Sequence, residues 1–215
     1  MADILIDEQG APSTPGAGQG AIFLDSTAEI LCVKDAAGRI QGWSTNAAIA
    51  AQGAGFATDT YVTNSDILIP SFGFQAKTTF LWMLSASKTG ASTGTPAYAI
   101  RIGANRTTGD TARLTLTGPA QTAIADIGTL QIMLTVRSTG VAGVMQGTAF
   151  WTHTGTAAST TVSGTGFANN VTGHVEGTGA GFDMTSIAGM YIGLSINGGT
   201  SSAWTVTQVW AQASW

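Results

Sequence analysis

Charge is what this chain has least of. Asp, Glu, Lys and Arg make up 9% of its residues, against about 25% in an ordinary soluble domain. The eight Lys and Arg are scattered and the net charge is −4. No clustered basic face is present to displace counterions from a duplex, which argues against nucleic acid as a partner. Cys32 is the only cysteine, so no intramolecular disulfide can form, no cysteine-rich zinc site can be built, and the redox compartment stays open. Apolar stretches are interrupted by Gly, Thr and Ser before any could span a bilayer. The N-terminus, Met1-Ala2-Asp3-Ile4-Leu5-Ile6-Asp7-Glu8, has acids where a signal peptide carries bases. Neither a membrane contact nor Sec export is expected.

What is present points to strands. A length of 215 residues suits one sandwich-sized domain plus a short extra piece, and it can bury a core without disulfides or metals. Hydrophobic residues reach 44%, much of it alanine, and glycine numbers 29. Disorder needs low hydrophobicity and high net charge, so the composition instead describes many short strands joined by small-residue turns. Such a surface stays wet through Thr, Ser, Asn and Gln. It lacks the mixed charge that keeps monomers apart, a sign of permanent association.

Four segments follow along the chain. Residues 1–20 combine a short apolar-acidic run with Pro12, Pro15 and four glycines, a pattern that excludes a helix and reads as an extended arm. Residues 21–43 read as a three-strand meander: apolar runs flank Asp25-Ser26-Thr27, and Asp35-Ala36-Ala37-Gly38 forms a second turn in which Gly38 supplies positive φ. A meander this small is marginal alone and normally leans on another chain or domain. Residues 44–55 read as a linker in which Ala47–Gln52 could form a helical turn. Residues 56–215 read as an antiparallel β-sandwich of jelly-roll-like form.

Alternation carries that last assignment. Leu130, Ile132, Leu134 and Val136 fall on one face, and Tyr98–Ile102, Arg113–Thr117, Tyr191–Ile196 and Ala203–Trp210 repeat the pattern. Thr79–Leu84 breaks it, being apolar on both faces, so this strand is either central or buried against a neighbouring subunit. Short turns, including Lys88–Gly94, Gly103–Asn105, Thr139-Gly140 and Asn197–Gly199, separate the strands. The C-terminus, with Trp204, Trp210 and Trp215, is expected to dock.

Catalytic patterns are missing. His153 and His174 lie in Thr/Gly-rich surroundings, and no motif gives either a nucleophile and an orienting acid. The acids are too dispersed for a calcium loop. Gly177–Gly181 superficially suggests a dinucleotide-binding loop, but it lacks the strand-turn-helix context and reads as a turn. The sequons at Asn105 and Asn170 are chance matches in a Thr-rich chain. No cofactor and no enzymatic activity are expected, and a β-sandwich hydrolase is the remotest reading. Tryptophan offers sugar platforms, but packing is favoured: Trp82 and Trp204 as core, Trp43 and Trp215 as contacts with another chain.

Pro12–Gly18, Ile22–Asp25, Glu29–Asp35 and Gly38–Ile40, followed by Ser44–Ala48, resemble the N-terminal part of tailed-bacteriophage fibre and capsid decoration (head fibre) proteins. The resemblance implies a homotrimeric virion protein attached through its N-terminal region, with the sandwich displayed outward. Attachment would fall to Ile4, Leu5, Ile6, Pro12, Pro15 and Phe23, and subunit contacts to Leu81, Met83, Trp43 and Trp215. No repetitive shaft is present, which favours compact capsid decoration or a short head fibre over a long fibre. The other expectation is a tail fibre or adhesin recognising host surface glycans.

Overall fold

The computed structural model describes residues 6, 8–88, 94–118, 120–121, 123–155, 173–199 and 204–215, with only the backbone of residues 54, 153–155 and 173–176. Strands begin with β1 (Glu8–Gln9), β2 (Gly20–Asp25), β3 (Leu31–Asp35), β4 (Ile40–Ala47) and β5 (Gln52–Gly55). Next come β6 (Thr60–Tyr61), β7 (Ile67–Leu68), β8 (Thr79–Lys88), β9 (Ala97–Gly103) and β10 (Thr111–Thr117). The chain closes with β11 (Asp126–Ser138), β12 (Val144–Gly155), β13 (Gly173–Thr178), β14 (Tyr191–Asn197) and β15 (Trp204–Ser214). No helix occurs among the described residues, and Ala47–Gln52 leads directly into β5.

Two sheets form an all-β sandwich. The larger is ten-stranded, in the order β1-β2-β3-β4-β15-β8-β11-β12-β13, with β5 also beside β15; the smaller runs β10-β9-β14-β6, with β7 also on β14. Among the described residues every pairing is antiparallel except β1 with β2. Inward positions follow the sequence alternation: Leu130, Ile132, Leu134 and Val136 are fully buried between the sheets. On β8 the inward set is Phe80, Trp82 and Leu84. β8 lies between β15 and β11, but its second apolar set, Leu81 and Met83, is on the outer face of the sheet and only half-buried.

The buried indoles all have hydrogen-bond partners, as desolvated N–H groups require. Trp82 Nε1 donates to the Ser65 carbonyl at 2.7 Å, Trp151 Nε1 to Tyr98 Oη at 2.5 Å, and Trp204 Nε1 to Gln121 Oε1 at 3.0 Å. Trp215 Nε1 donates to Ser44 Oγ at 2.9 Å while its ring packs on Phe72, Phe74 and Phe80. The C-terminus is thus docked, and in the chain's own core.

Two glycines set the spacing of the sheets. Gly147 and Gly177 face each other across β12 and β13. A Cβ on Gly147 would stand 2.5 Å from Leu114 Cδ2, and one on Gly177 would stand 2.9 Å from Leu116 Cδ2. The run at Gly177–Gly181, which reads as a turn from sequence, therefore begins inside a strand where β10 crosses closely.

Residues 44–55 also carry structure. One strand, β4, joins meander to sandwich: Ile40–Gly42 pair with β3, and Trp43–Ala47 pair with β15. The meander has a small core of Phe23, Cys32 and Ile40, against which Ile30 and Phe72 pack. Polar clips reinforce it. Gln75 Nε2 donates to the Ile40 carbonyl at 2.9 Å, and Gln75 Oε1 accepts from the Ile40 N–H at 3.1 Å. Buried Asp25 accepts from the backbone N–H groups of Thr27, Ala28 and Ser71 and from Ser71 Oγ. Burial, then the Asp25 charge, push the Cys32 thiol up to about 11. The slight meander leans on its own sandwich.

Candidate interaction surface

The arm is laid against this meander from Glu8 onward. Glu8 and Gln9 pair with Leu24 and Asp25, and Lys34 Nζ donates to the Pro12 carbonyl at 2.6 Å. Gly38 has φ of 82°, the positive value that its turn requires. Ile6 is exposed, and Pro12 and Pro15 are half-buried, while Ile4 and Leu5 lie outside the described residues.

Phe23 corrects one expectation. It has no exposed surface, because on β2 it points inward opposite Cys32. The exposed side chain of that strand is Ile22, at 62%, directly opposite Val33 at 44%. Leu24 faces Leu31, itself 57% exposed, and Trp43 on β4 is 68% exposed. Ile22, Leu31, Val33 and Trp43 occupy outward positions of adjacent strands, so they form one apolar stripe. Scattered exposed hydrophobics are ordinary, whereas a contiguous stripe marks a contact surface.

The stripe continues onto the sandwich because β4 belongs to both parts. Across the outer face, Ala47, Trp210, Met83, Gln131 and Phe150 stand in one register row. Thr45, Gln212, Leu81, Met133 and Thr148 form the next. Of the residues expected at subunit contacts, Trp43, Leu81 and Met83 share this face. Trp215 does not: at 7% exposure it is a core residue of this chain. Sequence reasoning left out Trp210, Met133, Ile22, Leu31 and Val33; strand alternation is the signal that would have found them, once the inward face was known.

No described outward side chain on β15, β8 or β12, and none from Ile127 to Thr135 on β11, carries a charge. Thr, Ser and Gln surround the apolar centre. Beside Trp210, Met83, Ser85, Thr129 and Gln208 line a shallow depression of about 380 Å³. It sits where β15 bulges between Val206 and Gln208.

A second hollow, at one end of the smaller sheet, is polar, and its charged rim groups pair with each other. Its rim includes Tyr61, Asp66, Asn105 and Arg106. Arg106 pairs with Asp66 at 3.8 Å and lies over the Tyr191 ring. Nearby Asp110 accepts the backbone N–H groups of Asn105, Arg106 and Thr107, and Arg101 pairs with Asp59 and donates to Ser195 Oγ. Burial, then the charges of Asp66 and Asp110, raise the Tyr61 phenol. Among the described residues, no group of three or more His, Cys, Asp or Glu is placed to hold a metal ion. The side chains of His153 and His174 lie outside the described residues. No protein-family model matches the chain, and no curated protein matches it.

Proposed function

We propose that this chain is a non-enzymatic structural protein of a bacteriophage virion, a trimeric capsid decoration or short head fibre attached through its N-terminal region. The observation that carries the reading is the exposed stripe of Ile22, Leu31, Val33 and Trp43. It is built on the segment that resembles phage fibre and decoration proteins. Its mechanism is burial of apolar surface, at about 25 cal/mol per Å² removed from water. A protein that binds only the assembled shell stabilises that shell by mass action. The winding of the sandwich belongs to the same proposal, as a jelly roll with its far end displayed outward.

The test is attachment. Purified protein is added to particles that lack it, and bound protein is measured after sedimentation. Val33→Lys with Ile22→Lys should abolish binding while leaving the thermal transition in place. Attachment at the wild-type level by that folded variant would defeat the proposal.

A glycan-binding adhesin is the second reading, favoured by the Trp210 depression, where an indole meets the uncharged hydrogen-bonding groups of Gln208, Ser85 and Thr129. Retention on a glycan array, lost in Trp210→Ala, would establish it; a blank array would remove it.

A further inference from the structure

Copies of a trimeric protein must meet somewhere, and the outer face of the large sheet on the sandwich offers the means. We infer that this face, centred on Leu81, Met83, Met133 and Trp210, is where a second copy of the same chain packs. The inference rests on the decoration reading and adds to it the surface through which copies associate.

Size is the first argument. Strands β4, β15, β8, β11 and β12 span about 24 Å at about 4.8 Å spacing, and ten residues of strand extend about 33 Å. With β4 counted over the five residues it pairs with β15, the resulting area is roughly 700 Å², close to the ~800 Å² each partner contributes to a standard stable interface; in a trimer it is shared between two neighbours. Composition is the second. Met133 is 51% exposed at the centre of the face, with Leu81 its register partner on β8. Met and aromatic residues at the centre, with charge depleted, are the marks of an interface core.

The third argument selects the occupant. An uncharged face holds no electrostatic code for an unlike partner. Against itself it meets no repulsion, and its Thr, Ser and Gln rim can both donate and accept, so identical rims can bond to one another. Around a threefold axis, three faces about 24 Å wide would each stand about 7 Å from the axis. Sheets packed face to face lie about 10 Å apart, so the large side chains of the central rows would fill that space.

Equilibrium sedimentation of the full chain tests the inference. The wild type should run at three times 21.8 kDa. Met133→Glu should raise the dissociation constant about 100-fold, because it buries an unpaired charge at the contact. Gln131→Glu, nearly isosteric and on the same face, should act alike and guards against misfolding of the first variant. Thermal unfolding reports that both are folded. A dimer dissolved by these variants would support the face while removing the threefold arrangement. Folded variants that remain assembled, or a wild type that runs as a monomer, would overturn the inference. Attachment to particles is read separately through Ile22 and Val33, so a monomeric protein that still binds particles leaves the attachment standing and removes only the trimer from the proposed function.

Discussion

Replacing Asp25 by alanine should release the meander from the sandwich. The carboxylate is fully buried. Its Oδ1 accepts from the N–H of Thr27 at 3.0 Å and of Ala28 at 2.8 Å, and its Oδ2 accepts from Ser71 N–H at 3.2 Å and Ser71 Oγ at 2.5 Å. Alanine leaves three backbone donors without this acceptor. Each buried unsatisfied donor costs about 1–3 kcal/mol, so the gross loss is roughly 3–9 kcal/mol. Against it stands relief from holding a desolvated carboxylate, an effect of several kcal/mol before its hydrogen bonds are counted. Ser71 Oγ can also rotate to another acceptor. A net destabilisation of about 3 kcal/mol remains.

For a chain of this length that corresponds to a fall in Tm of roughly 6–12 °C. Urea unfolding gives the free energy, and hydrogen exchange shows where it is lost. Amides of β2 and β3 should lose protection first, while those of β8 and β11 change less. Ser71→Ala in the same background completes a double-mutant cycle, with a coupling of at least about 1 kcal/mol expected. A loss below about 1 kcal/mol in Asp25→Ala, or protection lost evenly across both sheets, would refute the clip.

Other outcomes follow from the packing. Trp215→Ala should cost about 3–5 kcal/mol in urea unfolding, since the ring touches Phe72, Phe74 and Phe80; a surface residue would cost far less. Gly147→Ala places a methyl 2.5 Å from Leu114 Cδ2, and the overpacking should cost about 1–3 kcal/mol, partly recovered by Leu114→Val. Cys32, raised to about 11 from 9.0, stays protonated in the folded chain while the unfolded thiol ionises. Its contribution is therefore full below pH 9.0 and lost as pH rises to about 11. Iodoacetamide at pH 8 should label Cys32 only after denaturant is added, and rapid labelling of the native chain would contradict its burial.

The strands that alternate were readable because one face of each is buried: Leu130 to Val136 fixes its inward set by spacing alone. Phe23 was not, since Ile22, Phe23 and Leu24 are all apolar and only pairing with Cys32 decides which points inward. Ala47–Gln52 is similarly mute. Alanine and glycine carry no amphipathic period there, and β5 exists because β15 offers it hydrogen-bond partners. Glycines at 177–181 read alike whether they serve a turn or a close crossing, and Leu116 on another sheet determines which. An aromatic at position 215 reads as a docked end, but only Phe72, Phe74 and Phe80 around it show that it docks in its own chain and not against another. For the candidate surface, Trp43, Leu81 and Met83 were legible as apolar residues in outward or two-sided positions. The continuity of that surface was not, because it depends on one strand serving both parts of the chain.

That shared strand, with the Gln75 and Asp25 clips beside it, opposes hinging. With Ile40–Gly42 bonded to one neighbour and Trp43–Ala47 to another, the stripe around Val33 and the field around Met133 keep a fixed angle to each other. They behave as a single stiff plate and not as two beads on a string. Once the first region is seated, the second arrives already oriented, with little swivelling freedom left to surrender.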